Sequence, residues 1–230
     1  MRSLDGPVAF TRVCGLSTAA LRASSNALFG PQHLPLKPMI IGIYSPAAQS
    51  GKTTVASFLQ ERGYCRLPFA QPMRDMLSVM LSDLGYSEEL IAHHLHVDKE
   101  ALVPELGVSV RHLLRTLGTE WGRECVSPSV WLDVWLAKAR RKSFVVVDDV
   151  RFTNEAELIR LLGGEVWRIT RPGVVRNTEH ASEGGLDEWE HFTCDIVNSG
   201  SISDLLNGLP KVPFGPHGLA APEGGVEGKA

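Results

Sequence analysis

The sequence predicts a three-layer α/β fold with a central, mostly parallel five-stranded sheet. Two observations predict it: short apolar runs alternate with amphipathic helical segments, and the first run leads through a glycine-containing loop into a helix. Runs such as 39–44 (MIIGIY) and 144–147 (FVVV) are typical of strands that are covered on both faces. The predicted strands are residues 39–44, 64–69, 144–147, 165–170 and 195–198.

Helical periodicity accounts for most of the remaining domain. The predicted helices are residues 53–62, 72–84, 88–96, 109–124, 128–142, 154–162 and 201–209. About 75 residues separate the second and third strands, whereas a crossover between parallel strands needs only about a dozen. The helical insertion at about 72–142 is therefore a candidate substrate-binding region.

Composition restricts the classes of partner. The chain has 230 residues, of which 43% are hydrophobic and 21% charged, with a net charge of −3, as expected for one globular domain. This charge gives no overall basic field for a nucleic-acid polymer or an anionic membrane. The four cysteines are scattered without metal or redox spacing, which favours a reduced, cytoplasmic protein.

The two ends differ from the middle of the chain. Residues 1–38 are rich in Ser, Ala, Gly and Pro and contain one acid, Asp5, which fits either a transit-type leader or a start assigned too far upstream. The second interpretation is favoured because a strand begins directly at Met39. We expect one domain over 39–209 and a disordered tail over 210–230.

The strongest chemical signal is the loop after the first strand. Gly51, Lys52 and Thr53 match the end of the phosphate-binding pattern G-x-x-x-x-G-K-[ST], while Pro46 replaces its first glycine. Backbone N–H groups at a helix N-terminus bind phosphate oxygens, and Pro46 precedes the part of the loop that supplies them. An ordinary strand–helix turn is the alternative, but the flanking elements favour a P-loop NTPase fold that binds ATP. The predicted contacts are Ala48, Gln49, Ser50, Gly51, Lys52, Thr53 and Thr54.

Acidic residues follow the third strand. Asp148 and Asp149 end the run FVVV, where a P-loop protein presents a carboxylate near its metal. Judged by position, either of the two acids can be the carboxylate that lies near the metal. Downstream, Arg151, Asn154 and Glu155 form a dense polar set at the same sheet edge.

Arginines lie on one face of the predicted helix 109–124. Apolar residues from Val110 to Trp121 occupy the other face, and the basic set is Arg111, Arg115 and Arg123. A solvated face is the plain interpretation, whereas in a phosphate-handling protein fixed guanidinium groups would hold anions. Trp131 and Trp135 are interpreted as core residues.

With these motifs assembled, the chain resembles the bacteriophage-type deoxynucleoside monophosphate kinases, a family of P-loop kinases. The matching motifs, in chain order, are the P-loop, Phe69-Ala70-x-Pro72, Arg111-x-x-Leu114-x-x-Leu117-Gly118-Thr119-Glu120-x-x-Arg123, Asp149-Val150-Arg151-Phe152-x-Asn154-Glu155, Gly163-Gly164, Arg171-Pro172 and His180-Ala181-Ser182-Glu183. The sequence departs from the family pattern at Pro46 and at Gln71, where an acid is common.

The resemblance implies Mg²⁺-dependent transfer of the ATP γ-phosphate to a deoxynucleoside monophosphate, with the P-loop strand central in the sheet. On this resemblance, the expected catalytic residues are Lys52, Arg111, Arg115, Arg151 and Asp149. The expected metal ligands are Thr53 and Asp149. The hypothesis for acceptor binding comprises Phe69, Arg111, Arg115, Glu120, Arg123, Arg151, Asn154 and Glu155. Segment 171–183, which contains Arg171 and Arg176, is expected to cover the site. Arg171 is also expected to contact ATP.

Two other functions are compatible with the motifs. One is a P-loop kinase for a non-nucleotide acceptor, as in dephospho-coenzyme A or shikimate kinases. The other is an ATP-binding regulator without turnover, which Pro46 favours. The expected partners are small nucleotides, with neither a nucleic-acid polymer nor a membrane, and a homodimer is left open.

Overall fold

The computed structural model describes residues 38–174 and 185–216. The strands of the main sheet are β1 (Met39–Tyr44), β2 (Cys65–Arg66), β5 (Phe144–Val147), β6 (Glu165–Thr170) and β7 (Cys194–Val197). A short hairpin adds β3 (Leu102–Val103) and β4 (Val108–Ser109). The predicted leader, tail and covering segment, with Arg176 and the motif at 180–183, lie wholly or largely outside the described residues.

The helices surround this sheet and fill the insertion. They are α1 (Lys52–Glu61), α2 (Gln71–Asp83), α3 (Glu88–His96), α4 (Val110–Thr116), α5 (Val130–Ala139), α6 (Thr153–Leu161) and α7 (Ile202–Asn207). A π-helical segment, Leu117–Val126, directly continues α4. Within residues 38–174 and 185–216, no helix combines the length and hydropathy that a membrane span requires.

The main sheet is parallel, with the order β2-β5-β1-β6-β7, so the strand before the P-loop is central, as predicted. Side chains alternate between the two faces of a strand, and the two faces carry separate cores. One face packs against α5 and α6, with Val145 and Val147 in its core. The other packs against α1 and α7, with Val146 in its core. The predicted three-layer α/β fold is confirmed.

The insertion has a core of its own. Leu77 and Leu81 of α2 pack against Ile91 and Leu95 of α3, together with Val110 of α4. This cluster lies apart from the two sheet cores, so the insertion forms a helical platform beside the carboxyl edge of the sheet. That edge is where open α/β sheets bind ligands.

The prediction of one regular helix over 109–124 was wrong in its second half. The backbone changes from α to π at Leu117, which turns the later side chains relative to a 3.6-residue repeat. Trp121, expected on the apolar face, is therefore 45% exposed. Trp131 and Trp135 are buried, as predicted.

Two glycines let the π-helical segment pack closely. Gly122 lies against the indole of Trp131, and the Trp131 Nε1–H donates to the carbonyl of Gly118 at 2.8 Å. A Cβ on residue 122 would lie 2.4 Å from Trp131 Nε1, well inside contact distance. The indole is thus held by packing and by a hydrogen bond at the same time.

Gly122→Ala is expected to lower the free energy of unfolding by about 1–3 kcal/mol, because overpacking displaces Trp131 and strains its hydrogen bond. The better helix propensity of alanine offsets up to about 1 kcal/mol of the loss. Urea denaturation measures the change. Gly208→Ala is the control, since its Cβ would meet no atom nearer than 3.4 Å. Equal effects of the two substitutions would contradict the proposed packing.

Candidate active site

The P-loop joins the end of β1 to the start of α1. Gly51 has φ 106° and Gln49 has φ 54°, so two residues adopt left-handed backbone conformations within the loop. A Cβ on residue 51 would lie 2.9 Å from both the Asn198 side-chain nitrogen and Leu205 Cδ2, so only glycine fits. Such strain concentrates at ligand-binding loops, where the surrounding structure maintains it.

Pro46 does not prevent the loop from closing. The Ser45 hydroxyl accepts a hydrogen bond from the Ala47 N–H at 3.3 Å and donates to the Ala47 carbonyl at 3.1 Å. This local turn surrounds Pro46, whose missing N–H is not needed there. The N–H groups that begin α1 have no acceptor within the helix and are available for phosphate oxygens.

Residues from later strands hold the loop from outside. Asn198, directly after β7, donates to the Ser50 carbonyl at 2.9 Å. Arg171, directly after β6, donates to the Gln49 carbonyl at 3.2 Å. Lys52 folds back so that its Nζ donates to the Ala47 carbonyl at 3.2 Å. The loop carbonyls are thus bound by protein donors.

The other predicted ATP contacts are placed around this loop. Ala48, Gln49 and Thr53 are exposed, and Thr54 is half-buried. Ser50 is buried, and within the described part of the chain its hydroxyl has no hydrogen-bond partner. The sequence prediction for 48–54 therefore corresponds to one continuous loop and helix start.

The two acids after β5 have different environments. Asp149 accepts the Phe69 N–H at 2.8 Å with one carboxylate oxygen and the Ala70 N–H at 3.0 Å with the other. Burial raises the pKa of Asp149, and the neighbouring Asp148 raises it further. Asp149 thereby fixes the segment that leads into α2.

Asp148 lies on the P-loop side of the sheet. Val146 packs with α1 and Val147 with the opposite layer, so alternation directs Asp148 towards α1 and Asp149 away from it. One oxygen of Asp148 pairs with Arg66. The other is buried and, among the described residues, has no hydrogen-bond partner.

Basic side chains gather beside these acids. Burial lowers the pKa of Lys99, and Arg74, Arg151 and Arg111 lower it further in that order, while Asp149 raises it. The Arg111 N–H donates to the Lys99 carbonyl at 2.7 Å, which fixes the start of α4 next to Lys99. We call Arg66, Arg74, Lys99, Arg111 and Arg151 the cationic cluster.

Glu155, on the first turn of α6, is buried, with only 2% of its surface exposed. One of its oxygens accepts the N–H groups of Arg151 at 2.8 Å and Phe152 at 3.1 Å, and the other accepts from Arg123 at 3.1 Å. The Arg123 guanidinium also covers the Phe152 ring at 4.0 Å. Glu155 and Arg123 therefore shape the turn that carries Arg151.

Burial raises the pKa of Glu155 from its ordinary value of 4.5 to about 7, against the lowering effect of the hydrogen bond from the Arg151 N–H. Between these values the folded protein binds a proton that the unfolded chain has released. The stabilisation that this bound proton gives the folded protein is fully present below pH 4.5 and is lost as the pH rises through 7. The free energy of unfolding falls by at most about 3 kcal/mol over this range.

We expect Glu155→Gln to flatten the pH dependence of stability between pH 4.5 and 7, because glutamine does not titrate. Urea denaturation at a series of pH values measures the free energy of unfolding for both proteins. Glu157→Gln, an exposed position on the same helix, is the matched control and should retain the parent slope. A parent slope in Glu155→Gln would exclude this residue as its source.

The other residues that were predicted to bind the acceptor differ in their burial and in their contacts. Phe69 is 3% exposed and packs on Trp135 at 4.8 Å between ring centroids, so its ring belongs to the core and not to a base-binding surface. Arg111 is 62% exposed and paired with Glu100, and Arg115 contacts His112 at 3.2 Å. The exposed positions also include Glu120, Arg151 and Asn154.

Sequence reasoning missed Arg66, Arg74 and Lys99. Arg66 lies within the predicted strand 64–69, and Arg74 lies two residues after the Phe69-Ala70-x-Pro72 motif. Their positions at the carboxyl edge of the sheet and on the first turn of α2 were the available signals. Lys99 lies in a connection that no local pattern singles out.

Comparison with known proteins finds one matching family model. The model of the family described as deoxynucleotide monophosphate kinase matches residues 85–209, which is more than half of the chain. The matched range includes the Asp148–Glu155 region and begins after the P-loop. The P-loop assignment therefore stands on its own sequence and geometry.

Three viral relatives agree with this match. A protein of Acanthamoeba polyphaga mimivirus, assigned as a deoxynucleotide monophosphate kinase, is 29% identical over 177 residues, covering 69% of this chain and 88% of the relative. The deoxynucleoside-5′-monophosphate kinase of Escherichia phage T5 is 29% identical over 114 residues, 44% of each chain. The deoxynucleotide monophosphate kinase of Enterobacteria phage T4 is 28% identical over 104 residues, 43% of each chain. The matched region thus spans less than half of each phage relative.

Proposed function

This chain belongs to the deoxynucleotide monophosphate kinase family, and from that premise we propose that it transfers the γ-phosphate of ATP to a deoxynucleoside monophosphate, forming the diphosphate and ADP. It is a phosphotransferase by family. One observation carries the proposal: a P-loop, a pair of strand-end carboxylates and a cationic cluster share the carboxyl edge of one parallel sheet. This arrangement places donor phosphates and an anionic acceptor side by side.

The donor phosphates are assigned to the loop 48–54. Its N–H groups and the start of α1 cradle the phosphate oxygens, while Lys52 leaves the Ala47 carbonyl to bind the transferring group. Arg171, already bonded to the Gln49 carbonyl, lies beside the same loop. Its guanidinium retains further donors for the nucleotide.

A Mg²⁺ ion fits the Thr53 hydroxyl and Asp148. The buried Asp148 oxygen that is free of protein partners in the described chain is a suitable ligand, whereas Asp149 uses both oxygens to hold Phe69 and Ala70. The metal assignment therefore moves from Asp149 to Asp148. When bound, Mg²⁺ neutralises charge on the phosphates. Since no three His, Cys, Asp or Glu side chains converge within residues 38–174 and 185–216, most ligands would be phosphate oxygens and water.

The acceptor phosphate is assigned to the cationic cluster, with Arg111 and Arg151 at its exposed side and Arg115 one turn further on. Glu155 and Arg123 act as positioning residues through the turn at 151–152. Glu120 and Asn154 stay assigned to the outer part of the acceptor site. Asp149 contributes by fixing the path of the chain from β2 to α2.

The chemistry needs alignment more than proton transfer. An oxygen of the acceptor phosphate attacks the γ-phosphorus, and the bond to the bridging oxygen of ADP breaks as ADP leaves with the electron pair. The attacking phosphate is already anionic near neutral pH, so no general base is required. The loop and the arginines hold the two substrates in line and stabilise the charge of the transition state.

A coupled ADP-release assay tests the proposal. The purified chain is supplied with ATP, Mg²⁺ and, in separate reactions, each common deoxynucleoside and ribonucleoside monophosphate, dephospho-coenzyme A and shikimate. We expect ADP release with one or more deoxynucleoside monophosphates, and the diphosphate product identified by chromatography. Release only with a non-nucleotide acceptor, or with none, would overturn the proposal. Lys52→Ala, purified in parallel, controls for contaminating kinases.

A further inference from the structure

Ser50 and Gly51 supply donor groups for a ligand of the P-loop. Within residues 38–174 and 185–216, the Ser50 N–H, the Ser50 hydroxyl and the Gly51 N–H form no hydrogen bond with the protein. Ser50 is only 1% exposed, and buried donors in proteins almost always have an acceptor. These groups are therefore assigned to the phosphates of ATP.

The carbonyls of the same peptide groups are held from outside the loop. Asn198 donates from its side-chain nitrogen to the Ser50 carbonyl at 2.9 Å, and Arg171 donates to the Gln49 carbonyl at 3.2 Å. In a planar trans peptide, the carbonyl of one residue and the N–H of the next point in opposite directions. The bond from Asn198 therefore directs the Gly51 N–H away from Asn198, and the bond from Arg171 has the same effect on the Ser50 N–H.

The peptide group between Ser50 and Gly51 has a second orientation available to it. Gly51 has φ 106°, and glycine adopts positive and negative φ about equally well. Rotating this peptide plane by about half a turn would present the Ser50 carbonyl on the side where the Gly51 N–H now lies. A carbonyl oxygen repels a phosphate oxygen, whereas an N–H binds it. The orientation of this one peptide group thus decides whether the loop attracts or repels an anion there.

Asn198 is built into the sheet and can fix that orientation. It is 7% exposed, and its own N–H donates to the Thr170 carbonyl at 2.8 Å, which continues the pairing of β6 and β7. A Cβ on residue 51 would lie 2.9 Å from the Asn198 side-chain nitrogen, so the amide packs directly against the loop. Arg171 is exposed and loses more side-chain entropy when it is held in one rotamer, so its bond constrains the loop less.

We propose that Asn198 is a positioning residue for phosphoryl transfer. By binding the Ser50 carbonyl, it keeps the Ser50–Gly51 peptide group in the orientation that presents the Gly51 N–H to the phosphates of ATP. Asn198 itself acts through the loop and contacts neither substrate. The inference rests on the proposed function, and it adds a residue outside the motifs that located the site, 148 positions after Ser50.

Asn198→Ala tests the inference by removing the donor without adding a charge. We expect ADP, titrated calorimetrically without Mg²⁺ or acceptor, to bind about fivefold more weakly than to the parent, since one neutral hydrogen bond contributes about that factor. In steady-state kinetics the KM for ATP should rise by a similar factor, while the KM for the deoxynucleoside monophosphate changes less than twofold. A purely structural role would lower the unfolding temperature and leave the ADP affinity of the folded protein unchanged.

Asn198→Asp separates the donor from the shape of the side chain. At about pH 8 its carboxylate would face the Ser50 carbonyl with an acceptor, so we expect ADP to bind at least about tenfold more weakly than to the parent. At about pH 5 the introduced acid, buried beside a carbonyl, is expected to be protonated and to donate again. ADP should then bind more tightly to Asn198→Asp than to Asn198→Ala, although both side chains are neutral.

Asn207→Ala and Asn207→Asp, at an exposed position on α7, are the matched controls and should keep the parent affinity for ADP at both pH values. If Asn198→Ala does not fold, Asn198→Leu, which fills the volume of the amide, replaces it. Parent affinity in a folded Asn198→Ala, or equal affinity of the Ala and Asp variants at about pH 5, would overturn the inference alone. A parent protein that binds ADP and phosphorylates no deoxynucleoside monophosphate would overturn the proposed function instead.

Discussion

Lys52→Ala is expected to reduce turnover by about 10²-fold or more, equivalent to a few kcal/mol of lost transition-state stabilisation. Lys52 is half-buried, and its Nζ donates to the Ala47 carbonyl at 3.2 Å. Its ammonium lies within the phosphate loop and would neutralise the charge that develops on the transferring group. The substitution leaves the backbone of the loop and its contacts with Asn198 and Arg171 in place.

The measurement is kcat with saturating ATP and monophosphate, together with thermal unfolding to show that the variant is folded. Lys142→Ala, an exposed lysine after α5, serves as the control and should keep parent turnover. A folded Lys52→Ala protein that turns over deoxynucleotides as fast as the parent would show that the loop does not bind the transferring phosphate. A loss confined to KM would assign Lys52 to ground-state binding.

Asp148→Asn and Asp149→Asn are expected to have different effects, because we assign different roles to these two adjacent acids. Asp148→Asn should lower kcat by about 10²-fold and raise the Mg²⁺ concentration needed for half-maximal rate, because the proposed metal ligand loses its charge. Asp149→Asn should instead destabilise the fold by about 1–3 kcal/mol, because its amide NH₂ would face a backbone N–H that needs an acceptor.

Initial rates over a Mg²⁺ titration, together with urea denaturation, distinguish the two outcomes. Arg66→Met controls for the ion pair with Asp148, since it removes that partner and keeps the carboxylate. Its Mg²⁺ midpoint should not rise above that of the parent, because the carboxylate stays and a competing positive charge is lost. The opposite pattern, with the Mg²⁺ midpoint shifted only in Asp149→Asn, would return the metal to Asp149.

The fold was largely predictable because the buried strands have strong local signals. The predicted 39–44, 144–147 and 165–170 coincide with β1, β5 and β6, and β7 lies one residue earlier than predicted. The second strand was predicted as 64–69, but only Cys65–Arg66 pairs in the sheet. After Leu67 the chain bends towards Asp149, which accepts the N–H groups of Phe69 and Ala70.

Other features had no local signal. A π-helical segment depends on packing of Gly118 and Gly122 against Met73 and Trp131, which a period of 3.6 residues does not encode. The hairpin of β3 and β4 has only two residues in each strand. Both lie in the insertion, where tertiary contacts outweigh propensity.

The site was predictable in part. A motif located the loop 48–54, and strand alternation, applied to FVVVDD, distinguishes Asp148 from Asp149 once the α1 side of the sheet is known. Phe69 is conspicuous in a motif, yet the sequence does not reveal that its ring packs on Trp135. The joint placement of Arg74 and Lys99 depends on α2 and α3 packing together, which is a property of the fold.

The bond from Asn198 to the Ser50 carbonyl has a consequence for synthesis on the ribosome. The P-loop is translated early, but Asn198 and Leu205, which enclose Gly51, follow about 150 residues later. A nascent chain that has emerged only as far as β6 has the loop sequence without these supports. Nucleotide binding should therefore arise late in translation, and its appearance on stalled chains of increasing length would mark completion of the sheet.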